Sequence, residues 1–72
     1  METLTEEATL ENQALELQLK IEVARKRKGM TQEQLTAAIG EKWPSVVSRA
    51  IRGDQSPKSK RVREKIYRVL GL

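Results

Sequence analysis

Seventy-two residues without a single cysteine make one small domain that no disulfide can staple, at a size where a hydrophobic core alone supplies only about 3–5 kcal/mol. Histidine is absent too, and there is no Gly-rich phosphate loop, no catalytic carboxylate pair and no nucleophile with its base, so no enzyme, no metal and no cofactor is expected. The net charge of +4 hides a polarity: residues 1–19 hold five Glu and no Lys or Arg, whereas residues 20–72 hold fourteen Lys/Arg against five Asp/Glu, so a −5 segment precedes a +9 body suited to phosphate or to an acidic protein.

Residues 1–9 are acidic and threonine-rich with one Leu and read as a flexible arm, leaving residues 10–72 as the folded domain. The N-terminus has neither the basic nor the apolar region of a signal peptide, and no apolar run approaches the roughly 18–20 residues of a membrane span. A cytoplasmic chain is expected, with no membrane and no small-molecule ligand among its partners. From Leu10 a helical stripe begins: Leu10, Ala14, Leu17, Ile21 and Ala24 recur at spacings of four and three, which predicts a helix to about Lys28. Its Glu residues come early and Arg25, Lys26, Arg27 and Lys28 come last, an order that complements the helix dipole. That basic run reads either as a solvated helix end or as a cluster facing phosphate or a partner. A second stripe, Leu15, Leu19 and Val23, lies beside the first, and the combined arc is wider than a monomer of this size buries. Either the arm folds over it or another chain covers it.

After Gly29, with Met30 expected to pack inward, Thr31 and Gln34 have the spacing of a capping box, so the next helix starts near Gln32. Leu35, Ala38 and Ile39 give it an apolar face, and Gly40 supplies the left-handed residue that ends it. Pro44 suits a first helical position, Val47, Ala50 and Ile51 form the following stripe, and Gly53 stops the chain again. Two short helices meeting at a tight turn across Thr31 to Gly53 read as a helix-turn-helix. Beyond it, Ser56 as N-cap and Pro57 behind it open a last helix, where Val62, Ile66, Val69 and Leu70 close the core. Lys58, Lys60, Arg61, Arg63, Lys65 and Arg68 occupy the rest of that helix and read mostly as solvated face, while Lys58 and Lys60 stand near a helix N-terminus that favours anions. The predicted core is Leu17, Ile21, Leu35, Ile39, Val47, Val62, Ile66 and Val69.

The segments KRKGMTQEQLTAAIG and VVSRAIRGDQSPKS, followed by an amphipathic helix ending in LGL, together resemble the phage Cro/CI-type helix-turn-helix regulators, the lambda-repressor-like family, over roughly Leu17 to Leu72. More narrowly, the chain is similar to the small modulator-of-repression proteins of temperate Gram-positive phages. The resemblance implies an all-α, compact four-to-five-helix domain with an extended acidic N-terminal arm or helix. It implies an antirepressor in the bacterial host cytoplasm that binds its phage's CI-type repressor and promotes the lytic choice; the alternative is a Cro-type repressor acting directly on operator DNA. By the family pattern, Gln32 holds phosphate, Ser45, Ser48 and Arg49 occupy the base-reading face, and Lys42 and Arg52 lie near the DNA backbone.

Several positions depart from that pattern. The link from Gly40 to Val47 is one residue longer than usual, Thr36 replaces the customary Ala, and Ile51 stands where many members carry Glu. Pro44 falls near the place of a base-reading Gln, and Trp43 beside it offers a base edge nothing beyond its indole N–H. DNA binding by the chain alone is therefore expected to be weak. Trp43, the only Trp, either caps the turn from inside or anchors a protein interface.

Overall fold

The computed structural model describes the backbone of residues 6–72 and the side chains from residue 13 onward. Four helices and no strand occur among these residues: α1 (Glu6–Arg27), α2 (Gln32–Ala38), α3 (Pro44–Ile51) and α4 (Pro57–Leu70). The all-helical expectation holds at the lower end of its range. Helix α1 begins four residues earlier than its stripe suggested, taking residues 6–9 from the expected arm, because no Gly or Pro between Glu6 and Lys28 stops the backbone. The remainder of that arm, residues 1–5, and the Leu10 side chain lie outside the described residues.

Local chemistry sets the helix ends. At α2 the backbone N–H of Gln34 donates to Thr31 Oγ1 at 3.1 Å while Thr31 N–H donates to Gln34 Oε1 at 2.8 Å, the reciprocal bonds of a capping box. The helix closes at Gly40, whose φ of +75° lets its N–H reach Ala37 O and the Glu41 N–H reach Thr36 O. The same pair of bonds ends α3, from Gly53 to Ala50 O and from Asp54 to Arg49 O. There a side chain is doubly excluded: φ is +95°, and a Cβ on Gly53 would stand 3.2 Å from Ala14 Cβ on α1. At α4, Ser56 Oγ accepts from Ser59 N–H at 3.2 Å with Pro57 at the first helical position, as expected.

Helix α3 sits at the centre, packed against α1, α2 and α4, and α4 also packs on α1. Ile21, Leu35, Ile39, Val47, Ala50, Ile51, Val62, Ile66 and Leu70 form one core, with Leu17, Ala24, Met30 and Val69 half-buried against it. Six of the eight predicted core residues are buried outright, and Leu17 and Val69 line the rim. A fully buried Ile or Leu such as Ile21, Leu35 or Ile66 contributes about 1.5–3 kcal/mol by leaving water.

Three expectations about facing need correction. Helix α2 turns Leu35, Thr36 and Ile39 inward and leaves Ala38 exposed, since the Thr36 hydroxyl satisfies itself by donating to Gln32 O at 2.8 Å. Arg63 is not on the solvated face: only 9% exposed, it donates from Nη1 to Ala50 O at 2.9 Å and to Asp54 O at 2.7 Å, tying the end of α3 and the following loop to α4. Leu15, Leu19 and Val23 do not adjoin the core stripe; they run down the opposite side of α1 and remain about half exposed.

Candidate functional site

Helix α3 divides cleanly between core and solvent. Val47, Ala50 and Ile51 are buried, whereas Ser45, Arg49 and Arg52, spaced four and three apart, form an exposed line along the other side, with Ser48 half-buried beside them. The extended residue before the helix, Trp43 with φ −120° and ψ 125°, makes no side-chain cap and is 64% exposed. Of its two expected roles, capping the turn from inside is thereby excluded. Lys42 is exposed next to it, so five of the eight expected site residues are exposed: Ser45, Arg49 and Arg52 along the outward line, and Lys42 and Trp43 at the entrance of α3, with Ser48 half-buried beside the line.

Gln32 borders this face from α2. Its Nε2 donates to Pro44 O at 3.4 Å, linking the first residue of α2 to the first residue of α3. Together with Ser48 and Ile51 of α3 and Arg52 at its C-cap, it lines a polar cleft whose third wall is Gln18, Glu22 and Arg25 of α1. The α1 residues were not among the expected site. Their signal in the sequence is faint: Gln18, Glu22 and Arg25 follow helical spacing on a flank of α1, and only the docking of α1 against α3 turns that flank into a wall.

The basic run at the end of α1 also separates. Arg25 is half-buried and its Nη1 donates to Met30 O at 2.7 Å, holding the turn after the helix, while Lys26, Arg27 and Lys28 remain exposed. Lys58 does not join the α3 face. Its Nζ lies 3.1 Å from Glu41 Oε2, an oxygen that Lys65 Nζ also approaches at 3.8 Å, so both lysines close over the link before α3 and their charge is partly neutralised there. Helix N-terminal position alone did not reveal this, because the carboxylate arrives from seventeen residues away.

Behind the α3 face lies a self-contained polar knot. Asp54 Oδ2 accepts from the Ser56 hydroxyl, from Ser56 N–H at 3.3 Å and from the buried Ser59 hydroxyl at 2.6 Å. The Ser56 and Ser59 hydroxyls, in that order, hold the Asp54 carboxyl below the usual aspartate range, and the charge of Arg49 adds a smaller push in the same direction. Arg49 thus feels one carboxylate behind it, but its side chain is exposed and Lys42 and Arg52 share its sign. An outward face with three cations, two hydroxyls and one indole can pair with phosphates or carboxylates and can place an aromatic ring in a pocket.

What fold and face define together is a class: a small all-helical protein presenting one cationic, tryptophan-flanked helix. In comparisons with protein-family models, curated proteins and solved structures, nothing matches this chain. Among the described residues no helix is long and apolar enough to cross a membrane.

Proposed function

We propose that α2 and α3 are the helix-turn-helix of a phage genetic-switch regulator, and that the chain acts as an antirepressor by binding a CI-type repressor through the α3 face and blocking or altering its DNA binding. The observation that carries this reading is Trp43, exposed at 64% at the very start of the helix where a DNA reader would need a side chain with a base-edge code. An exposed Trp beside Arg49 and Arg52 is the composition of a protein-interface anchor: the ring fills a pocket and the guanidinium groups pair with carboxylates. Two further features support a protein partner over DNA. Gln32, the family's phosphate holder, is engaged with Pro44 O, and Lys58 is engaged with Glu41.

The Cro-type reading draws on the outward line of Ser45, Arg49 and Arg52, which suits a major groove. Mixing the purified protein with its phage repressor and with switch-region DNA, separately and together, discriminates the two. The antirepressor forms a complex with the repressor in the absence of DNA and reduces or retunes operator occupancy. Any binding to DNA alone is electrostatic, falls steeply between about 50 and 200 mM salt and ignores sequence. Operator binding by the isolated protein with a specificity ratio above about a thousand at physiological salt overturns the antirepressor reading.

A further inference from the structure

The outer side of α1 takes no part in the core or in the α3 face. Leu15, Leu19 and Val23 are 53%, 53% and 48% exposed and recur every four residues, so they form a single apolar seam. The core-facing Leu17, Ile21 and Ala24 occupy the opposite side of the same helix, which prevents one docking from burying both sets. The charges of α1 are ordered along it: residues 6–16 carry four Glu and no base, whereas residues 17–27 carry Lys20, Arg25, Lys26 and Arg27 against Glu22 alone. A phosphate backbone or an anionic bilayer would match only one half of such a helix. A copy of the same helix laid antiparallel about Leu19 brings residues 11–16 of each, with Glu11 and Glu16, along residues 22–27 of the other, which carry Arg25, Lys26 and Arg27 against Glu22, whereas parallel pairing sets acid on acid and base on base.

The geometry points to a second copy of this chain as the occupant of this seam, with the two α1 helices packed antiparallel about Leu19. In this register Leu19 meets Leu19 of the other copy, and Leu15 meets Val23. Glu16 and Lys20 flank the seam on the same side at a spacing of four, so Glu16 of each copy comes within side-chain reach of Lys20 of the other. Three aliphatic residues per copy make a small interface, and the dimer is concentration-dependent. None of these residues belongs to the α3 face, so the dimer stands or falls independently of what α3 binds.

The absence of native cysteine makes the orientation directly testable. In an antiparallel pair two residues at position 15 are eight residues apart along the axis, about 12 Å, beyond the roughly 7 Å that a disulfide spans between Cα atoms. Oxidising a mixture of the Leu15→Cys and Val23→Cys variants should therefore give mainly the mixed disulfide, several-fold over either homodimer. Sedimentation across the micromolar-to-millimolar range should show a monomer–dimer equilibrium that Leu19→Asp shifts to monomer, with the melting temperature of the dilute monomer unchanged because the site is exposed. Glu16→Lys should weaken the dimer, and Glu16→Lys combined with Lys20→Glu should restore it. A monomer at the highest concentration, a dimer indifferent to Leu19→Asp, predominance of the position-15 homodimer, or failure of the charge swap to restore association would each overturn the antiparallel seam.

Discussion

Around Arg63 and around Arg49, the chain sets the same side chain in two unlike surroundings. Arg63 is buried, with one terminal nitrogen shared between the carbonyls of Ala50 and Asp54, and the Asp54 carboxylate accepts from Ser56 and Ser59 through Oδ2. Arg49, in the last turn of α3, projects into solvent in line with Arg52 and Ser45, with Trp43 open to water at the start of the helix. The inner cluster spends its hydrogen-bonding capacity inside the molecule, closing the α3 end onto α4. The outer one keeps its capacity for something else. Charge content alone does not distinguish them; the number of internal acceptors each guanidinium meets does.

This contrast makes the largest expected effect on stability fall at a residue that looks like surface. Replacing Arg63 by Met keeps the aliphatic stem but leaves Asp54 O without its donor and Ala50 O with the Gly53 N–H alone, and should destabilise the fold by about 1–3 kcal/mol. Chemical denaturation would measure it, and a loss below about 0.5 kcal/mol, the range of ordinary surface changes, would erase the distinction between the two clusters.

The converse applies to Trp43→Ala and Arg49→Ala. Each should shift stability by no more than about 0.5 kcal/mol while weakening the proposed repressor binding by more than about 1–2 kcal/mol. Calorimetry with variants whose melts are unchanged would decide it. Intact binding in both would mean that the outward face of α3 is not the contact surface.

A pH series sharpens the inner side of the comparison. Because the Ser56 and Ser59 hydrogen bonds lower the native pKa of Asp54 from its ordinary 3.8, its contribution is fully present above that value and is lost as pH falls from there through the lowered native value. Melting temperatures followed from about pH 5 down to about pH 2 should fall less steeply for Asp54→Asn than for the parent chain. Equal slopes would mean that the carboxylate's partners favour it no more than water does.

The smallest effects belong to Lys58 and Lys65. Their shared carboxylate on Glu41 is mostly covered, but both ammonium groups are about half exposed, so Lys58→Ala or Lys65→Ala should each cost under about 1 kcal/mol of stability. Neither should change the proposed repressor binding as much as Arg49→Ala is expected to. A larger loss at Lys58 would return that residue to the binding face.

Helix ends and the stripes of α3 and α4, which depend on neighbours within about four residues, were legible in the chain itself, although the facing of Ala38 and Thr36 on α2 and of the Leu15–Leu19–Val23 stripe on α1 was not. The Thr31–Gln34 capping box, Pro44 and Pro57 at first helical positions, the left-handed Gly40 and Gly53, and the buried stripes of α3 and α4 are local matters of backbone valence and helical period. The family resemblance gave Ser45, Ser48 and Arg49 as the outward face, and burying Val47, Ala50 and Ile51 exposes Ser45 and Arg49 but brings Arg52 into their line in place of Ser48. Tertiary structure alone decided the rest. It buried Arg63 by bringing two carbonyls within its reach, drew Lys58 to a carboxylate seventeen residues away, left Trp43 in solvent, and made a cleft wall of Gln18 and Glu22. A long polar side chain carries no periodic signal of its own surroundings: whether it faces water, an ion partner or a buried acceptor depends on which element the fold lays opposite it.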